Sequence, residues 1–316
     1  MKRVLAVALL VPTLALAQAY PTKQVRIIQP YPAGGIVDLM ARSMSDALAS
    51  KLGQAVIVEP RPGADASIGT EAVAKSEPDG HTLLLATIAL VVKPHLNKVP
   101  WHPLDDFEGV AHVGVVANVA AVTPSLGVKD MKGFVALAKA KPGQINYVNP
   151  GNGSSPHLST ELLQQINEIK LTSINYKGIP PAIPDFLSGT VQFGYFTLPT
   201  IGPHLRSGKA QALGIALPVR NKQFPEIPTL TEQGFLSSQV NSWYAIVVPK
   251  KTPRAVIERL NKELNAVLAE EDTIGRIEKL GGTVIAGWTP QQTTKMIADE
   301  FARWAEVTRK AGIAAK

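Results

Sequence analysis

The sequence predicts an α/β protein of two lobes, each a mostly parallel sheet flanked by helices, joined by two hinge crossovers. Three observations carry this. Short Val/Ile/Leu-rich runs alternate with stretches of helical periodicity, the pattern of sheets covered by helices. A chain of 316 residues exceeds one ordinary domain, so two cores are expected. Two extended runs, "VGVVANVAAVTP" at 113–124 and "VNSWYAIVVP" at 240–249, flank a self-contained αβ block and read as the crossovers. The division that follows is 1–19 as a leader, 20–122 with 240–316 as a discontinuous first lobe, and 123–239 as an inserted second lobe. Two lobes with two connections make a hinge, and a hinge makes a cleft that closes.

Each element has its own signal. "MKRVLAVALLVPTLALAQA" has Lys2 and Arg3, an apolar core too short for a membrane span, and Ala17-Gln18-Ala19, which together read as a secretory signal peptide cleaved after Ala19. Strands are expected at 25–28, 56–59, 82–86, 145–148, 172–176, 191–196, 212–216, 244–249 and 283–286, with helices between them. One helix should start at Thr252-Pro253, with Val256, Ile257, Leu260, Leu264 and Leu268 at helical spacing. A second should start at Thr289-Pro290 and stop near Gly312, and a third is capped by Asp130 and ended by Pro142-Gly143.

Composition narrows the function classes. The chain has no cysteine, which removes disulfides, thiolate metal sites and cysteine nucleophiles. The net charge of +7 becomes +5 when Lys2 and Arg3 leave with the leader, and the basic residues are scattered. There is no basic tract, aromatic platform or zinc pattern, so nucleic-acid binding has no support.

Two stretches carry the chemistry. "QPYPAGGIVDLMAR" at 29–42 ends a strand in Pro30 and Pro32, turns at Gly34-Gly35, and opens a helix with Val37, Met40, Met44 and Leu48 on one stripe. Such a turn is either an ordinary tight βα connection or a place where backbone amides hold an anion. Asp38 reads as a partner of the helix dipole. "INYVNPGNGSSPHLSTELL" at 145–163 repeats the arrangement in the other lobe, with Gly151 and Gly153 ahead of Ser154 and Ser155. The serines can cap the helix or hold a carboxylate. Two such turns facing each other across a cleft are stronger evidence than either alone.

Catalytic readings do worse. "GNGSSP" does not match a nucleophile elbow, and a dinucleotide fingerprint fails at Pro156. The six histidines show no metal-ligand spacing. A hydrolase using Ser154 or Ser155 with His157 lacks a third member to orient the histidine. No catalytic residue, metal or cofactor is assigned.

These residues resemble the solute-binding proteins of tripartite tricarboxylate transporters, the Bug proteins, over essentially the whole mature chain. The resemblance rests on "YPTKQVRIIQPYPAGGIVDLMAR", "LGQAVIVEPRPGADASIGTEAVAKSEPDGHTLL", "WHPLDDF", "AKAKPGQINYVNPGNGSSPHLSTELL", "INYKGIPPAIPDFLSGTVQFGYF", "FPEIPTLTEQGF" and "VVPKKTPRAVIERLNKEL". It implies a type II periplasmic binding protein fold that captures a small di-, tri- or aromatic carboxylate and delivers it to membrane permease subunits, the chain being a periplasmic monomer. A receptor that signals to a membrane sensor kinase stays open beside that reading. It further implies one wall of Tyr31, Pro32, Gly34 and Gly35 with Ser67 and Thr87. The facing wall is Asn149, Gly151, Gly153, Ser154, Ser155 and His157 with Lys177, and Phe196 and Thr197 end the set.

Three positions depart from that family's habit. Its usual "GAGG" reads Gly63-Ala64-Asp65-Ala66, its "NRPG" reads "PRPG" at 60–63, and a strand that commonly ends in Asp has Phe196. Loss of that acid argues against an amino acid ligand and for a plain or aromatic carboxylate, while Asp65 brings a different carboxylate near the same wall.

Overall fold

A computed structural model describes residues 20–217, 219–221, 223–235, 240 and 242–310. The leader at 1–19 and the helix stop at Gly312 lie outside the described residues. In chain order the strands are β1 (Val25–Gln29), β2 (Val56–Pro60), β3 (Thr82–Thr87), β4 (Phe107–Val116), β5 (Asn118–Val122), β6 (Asn146–Asn149), β7 (Thr172–Asn175), β8 (Phe193–Thr197), β9 (Gln211–Ile215), β10 (Ser242–Pro249) and β11 (Gly282–Val284). The helices are α1 (Ile36–Leu52), α2 (Ser67–Ala74), α3 (Ala89–Leu96), α4 (Met131–Ala140), α5 (Ser155–Asn167), α6 (Ile183–Ser188), α7 (Leu198–Arg206), α8 (Arg254–Leu268), α9 (Glu271–Lys279) and α10 (Pro290–Lys310).

Among the described residues one sheet has the order β11-β4-β10-β3-β1-β2 and the other β7-β6-β8-β5-β9. Both are mixed, where mostly parallel sheets were expected. β1 runs parallel to β2 and β3, and β6 parallel to β7 and β8. The strands next to the crossings run the other way: β10 is antiparallel to β3 and β4, and β5 to β8 and β9. A strand that arrives from the opposite sheet enters against the local direction, so alternation of strands and helices alone overstates parallel pairing.

The first crossing also moves. Asn118 pairs with Thr197 and Val119 with Phe196 and Ile215, so residues 118–122 belong to the second sheet and the chain changes sheets at Ala117. The expected boundary after residue 122 falls inside the second sheet. The run 113–124 is apolar throughout and no turn residue marks the transfer.

Burial follows from period-two alternation. On β3, Leu83 and Leu85 join one apolar cluster and Leu84 and Ala86 another, so this strand is covered on both faces. Met40, Met44 and Leu48 of α1 and Leu260 and Leu264 of α8 cover the first face. Each such side chain contributes about 1.5–3 kcal/mol when fully buried. Trp304 of α10 is fully buried on the other face. On β8, Phe193 and Tyr195 face one side of the second sheet and Phe196 the other.

The helix starts hold with one change. Asp130 Oδ1 accepts from Gly133 N at 2.7 Å, and Thr289 Oγ1 accepts from Gln292 N at 3.2 Å. At α8, Pro253 is itself the cap residue, and the Thr252 hydroxyl donates to Pro249 O at 2.7 Å instead of capping.

Candidate functional site

Four strands of the two sheets, β1, β3, β6 and β8, run into α1, α3, α5 and α7 at one crevice, where open α/β sheets place their ligands. The crevice is a cavity of about 280 Å³. The residue capping each helix, Gly35, Ile88, Ser154 and Thr197, lines it. Helix N-termini leave amides without intrahelical partners and carry partial positive charge, so this convergence favours an anion.

The β1–α1 turn is tightly held from within. Gly34 has φ +77°, and its N–H donates to Asp38 Oδ2 at 3.0 Å. The buried Asp38 carboxylate also accepts from Arg42 Nε at 2.9 Å and Gln29 Nε2 at 3.4 Å. Burial pushes the Asp38 carboxyl up. The bonds from Arg42, Gly34 and Gln29 and the Arg42 charge outweigh this, so its pKa lies below the ordinary carboxylate value. The Gly35 N–H donates to Pro32 O at 3.4 Å. Both glycine amides are therefore occupied, and the α1 amides without a partner among the described residues are those of Ile36, Val37 and Asp38, of which Ile36 and Val37 line the cavity.

The β6–α5 turn is closed in the same way. Gly151 N–H donates to Asn149 Oδ1 at 3.0 Å, and Gly153 N–H to His157 Nδ1 at 3.3 Å. Asn149 donates to Asn152 Oδ1 at 2.9 Å and to Ser173 Oγ at 3.3 Å. Ser154 Oγ accepts the His157 N–H at 3.5 Å as a long N-cap bond. Burial pulls the His157 pKa below the usual value, against the charges of Glu161 and Asp65. With Nδ1 accepting, the ring proton sits on Nε2, 4.0 Å from Glu161 Oε1. Among the described residues no hydrogen bond joins this ring to either serine hydroxyl.

Of the residues expected at the site, Tyr31, Pro32, Gly34, Gly35, Thr87, Ser154, Ser155, Lys177 and Thr197 line the cavity. Asn149, Gly151, Gly153 and His157 do not. They shape the turn that presents Ser154 and Ser155. Ser67 starts α2 away from the cavity, with its amide on Ala64 O at 3.2 Å. Phe196 is fully buried and packs on Phe186 with ring centroids 4.6 Å apart, so it meets no ligand and no longer bears on the choice of one. Its neighbour Thr197 reaches the cavity, where its hydroxyl lies 2.9 Å from that of Thr200.

Asp65 is also accounted for. Its carboxylate accepts from Lys93 Nζ at 3.2 Å, and neither residue lines the cavity. Ala64, Asp65 and Ala66 have φ of 45°, 50° and 75°, so this loop keeps a left-handed course without glycine.

Ile36, Leu39, Ile88, Thr200, Ser242, Tyr244 and Leu280 line the cavity without having been singled out. Tyr244 sits opposite Thr87 in the β10–β3 ladder, which brings it beside Tyr31. Burial pushes both tyrosine hydroxyls up from their ordinary value. Ser242 and Ser155 share a short hydrogen bond, and Asn118 Nδ2 donates to Ser155 Oγ and to Val240 O, each at 3.0 Å. This network ties the first crossing, the return strand and α5 together. Among the described residues no three His, Asp or Glu side chains could hold a metal ion, and no helix is long and apolar enough to cross a membrane.

Comparison with known proteins agrees with the fold. The model of the tripartite tricarboxylate transporter family receptor matches residues 40–313. Protein BugT of Bordetella pertussis is 36% identical over 299 residues, covering 94% of this chain and 91% of that protein. A Rhodopseudomonas palustris protein solved with adipate is 29% identical with a TM-score of 0.86, covering 93% of this chain and 99% of the other. MatC from the same species, solved with bound malate, is 27% identical with a TM-score of 0.83, covering 91% and 99%. The chain belongs to the tripartite tricarboxylate transporter receptor family.

Proposed function

We propose that this protein is a periplasmic solute-binding protein. It captures a small organic carboxylate between its two sheets and hands it, as a monomer, to the membrane subunits of a tripartite tricarboxylate-type transporter. The observation that carries the reading is the convergence of four helix starts on one cavity that Lys177 also lines. Each helix start stabilises an anion by about 0.3–1 kcal/mol when exposed and up to about 2 kcal/mol when partly buried. Adipate and malate in two solved relatives support a carboxylate.

The contacts would come from Tyr31, Pro32 and Thr87 in the first lobe and from Ser154, Ser155, Lys177 and Thr197 in the second. A ligand held from both sides has higher affinity for the closed form, and that difference drives closure. Binding is favoured over hydrolysis because the Nδ1 of His157 is taken by the Gly153 amide.

The test is a thermal-shift screen of the mature protein against mono-, di-, tri- and aromatic carboxylates. A ligand at about 100 times its Kd adds about 2.7 kcal/mol of apparent stability. A panel in which no carboxylate raises the melting temperature overturns the proposal.

A further inference from the structure

We infer that the ligand of this cavity is single-headed: one ionised carboxylate on an apolar body, not a di- or tricarboxylate. This rests on the carboxylate-binding reading above.

Charge is the first argument. Among the described residues lining the cavity, Lys177 is the only charged side chain, and it is exposed with no ion-pair partner. One ammonium neutralises one carboxylate. A second ionised head would enter without a cation, and its desolvation would have to be met by hydrogen bonds alone.

Those hydrogen bonds are scarce. Pro156 and Pro199 remove an N–H from the first turns of α5 and α7. The Gly34 amide is held by Asp38. Of the cavity hydroxyls, Thr197 is paired with Thr200, Tyr31 with Thr87, and Ser155 with Asn118 and Ser242, while the Ser154 hydroxyl accepts the His157 N–H and keeps its own proton to donate. The cavity-lining first-turn amides of Ile36, Val37 and Ser155, without partners among the described residues, and the Ser154 hydroxyl cluster near the starts of α1 and α5, where they serve one carboxylate.

The rest of the wall is apolar. Ile36, Leu39, Ile88, Ile179, Pro199 and Leu280 all line it. Leu39 is 40% exposed, and its place in this wall gives that exposed leucine a partner in the apolar body of a ligand. The volume of about 280 Å³ lies near the lower limit of small-molecule sites, roughly 300–1,000 Å³. A ring or short aliphatic chain fills such a space without leaving a second charge against carbon.

Calorimetry on the mature protein with benzoate, phenylacetate and hexanoate, against succinate, malate, adipate and citrate, tests this. At least one monocarboxylate is expected to bind more than tenfold tighter than every di- or tricarboxylate. Lys177→Gln is expected to weaken it tenfold or more, and Leu39→Asn to weaken it severalfold, with melting temperatures unchanged. Any di- or tricarboxylate within tenfold of the tightest monocarboxylate overturns the inference and leaves the carboxylate-binding function standing. Failure of all seven probes to bind overturns that function as well.

Discussion

Lys93 Nζ donates to Asp65 Oδ2 at 3.2 Å, and the pair lies against the glycine turn of the opposite lobe. A Cβ on Gly151 would sit 3.3 Å from Asp65 Oδ1, and one on Gly153 3.2 Å from Lys93 Cδ. The two glycines are thus small where the lobes meet. Lys93 is 4% exposed and Asp65 42%. Removing one partner of a fully buried pair costs about 3–5 kcal/mol. With Asp65 this open to solvent, Asp65→Ala is expected to cost about 1–2 kcal/mol, read by urea unfolding. An unchanged midpoint would show the pair to be dispensable.

Ser155 carries more than a ligand contact. Ser155→Ala removes the acceptor for Asn118 and the partner of Ser242 in a buried setting, so a loss of about 1–3 kcal/mol is expected, along with weaker carboxylate binding. Ser154→Ala removes only a long cap bond and should cost about 0.5–1 kcal/mol. Denaturant titration of both variants separates the roles, and equal losses would contradict the assignment.

His112 makes stability pH-dependent. It is buried against Trp288, with ring centroids 4.8 Å apart, and burial lowers its pKa from 6.5 to about 4. The unfolded chain therefore takes up the proton first as pH falls. The stability contribution is complete above pH 6.5 and is lost between there and about 4, with a total on the order of 3 kcal/mol. His95 and His157 shift in the same direction. His112→Gln should flatten the decline in urea midpoint between pH 7 and 5, and an equally steep decline in the variant would refute this.

Ala64 pays for its left-handed φ of 45° without a packing return, since its side chain is exposed. Ala64→Gly should stabilise by about 0.5–1 kcal/mol, the left-handed cost less the greater chain entropy of glycine. A lower melting temperature would count against strain in this loop.

Lys177 is exposed at the cavity, so its attraction to an anion is open to screening. Carboxylate affinity should fall as ionic strength rises from about 0.02 M to about 0.5 M, and Lys177→Gln should remove most of that dependence. Calorimetry at the two salt concentrations decides it. A wild-type affinity insensitive to salt would exclude Lys177 from the charge balance.

Much of this architecture was legible in the sequence because local chemistry and global fold agree. The glycine turns, the Asp130 and Thr289 caps and the period-two strands each follow from their own residues. What was not legible depends on where side chains turn, even four residues away, and on elements that only the fold brings together. Nothing near Gly34 says that Asp38 will take its amide, and nothing near Gly153 says that His157 will do the same. The amide cradle read from the two turns is thus largely used up inside them, and the helix starts behind them remain for a ligand. Tyr244 and Leu280 reach the cavity only through strand register and the close of α9. Phe196 fails for a different reason: a strand position one residue from Thr197 points to the other face.

Helix α5 belongs to both halves of the molecule. Its first turn forms cavity wall, while Leu158 and Leu162 sit in an apolar cluster of the first sheet, 1% and 7% exposed. Swinging the lobes apart wets both leucines, at about 1.5–3 kcal/mol for each side chain fully exposed. That cost favours the closed form on its own account, and an anion held from both sides adds to it. Parting the lobes therefore breaks two kinds of contact, polar ones to the anion and apolar ones at the leucines, and a surface that shields the leucines while the lobes stand apart lowers the second cost.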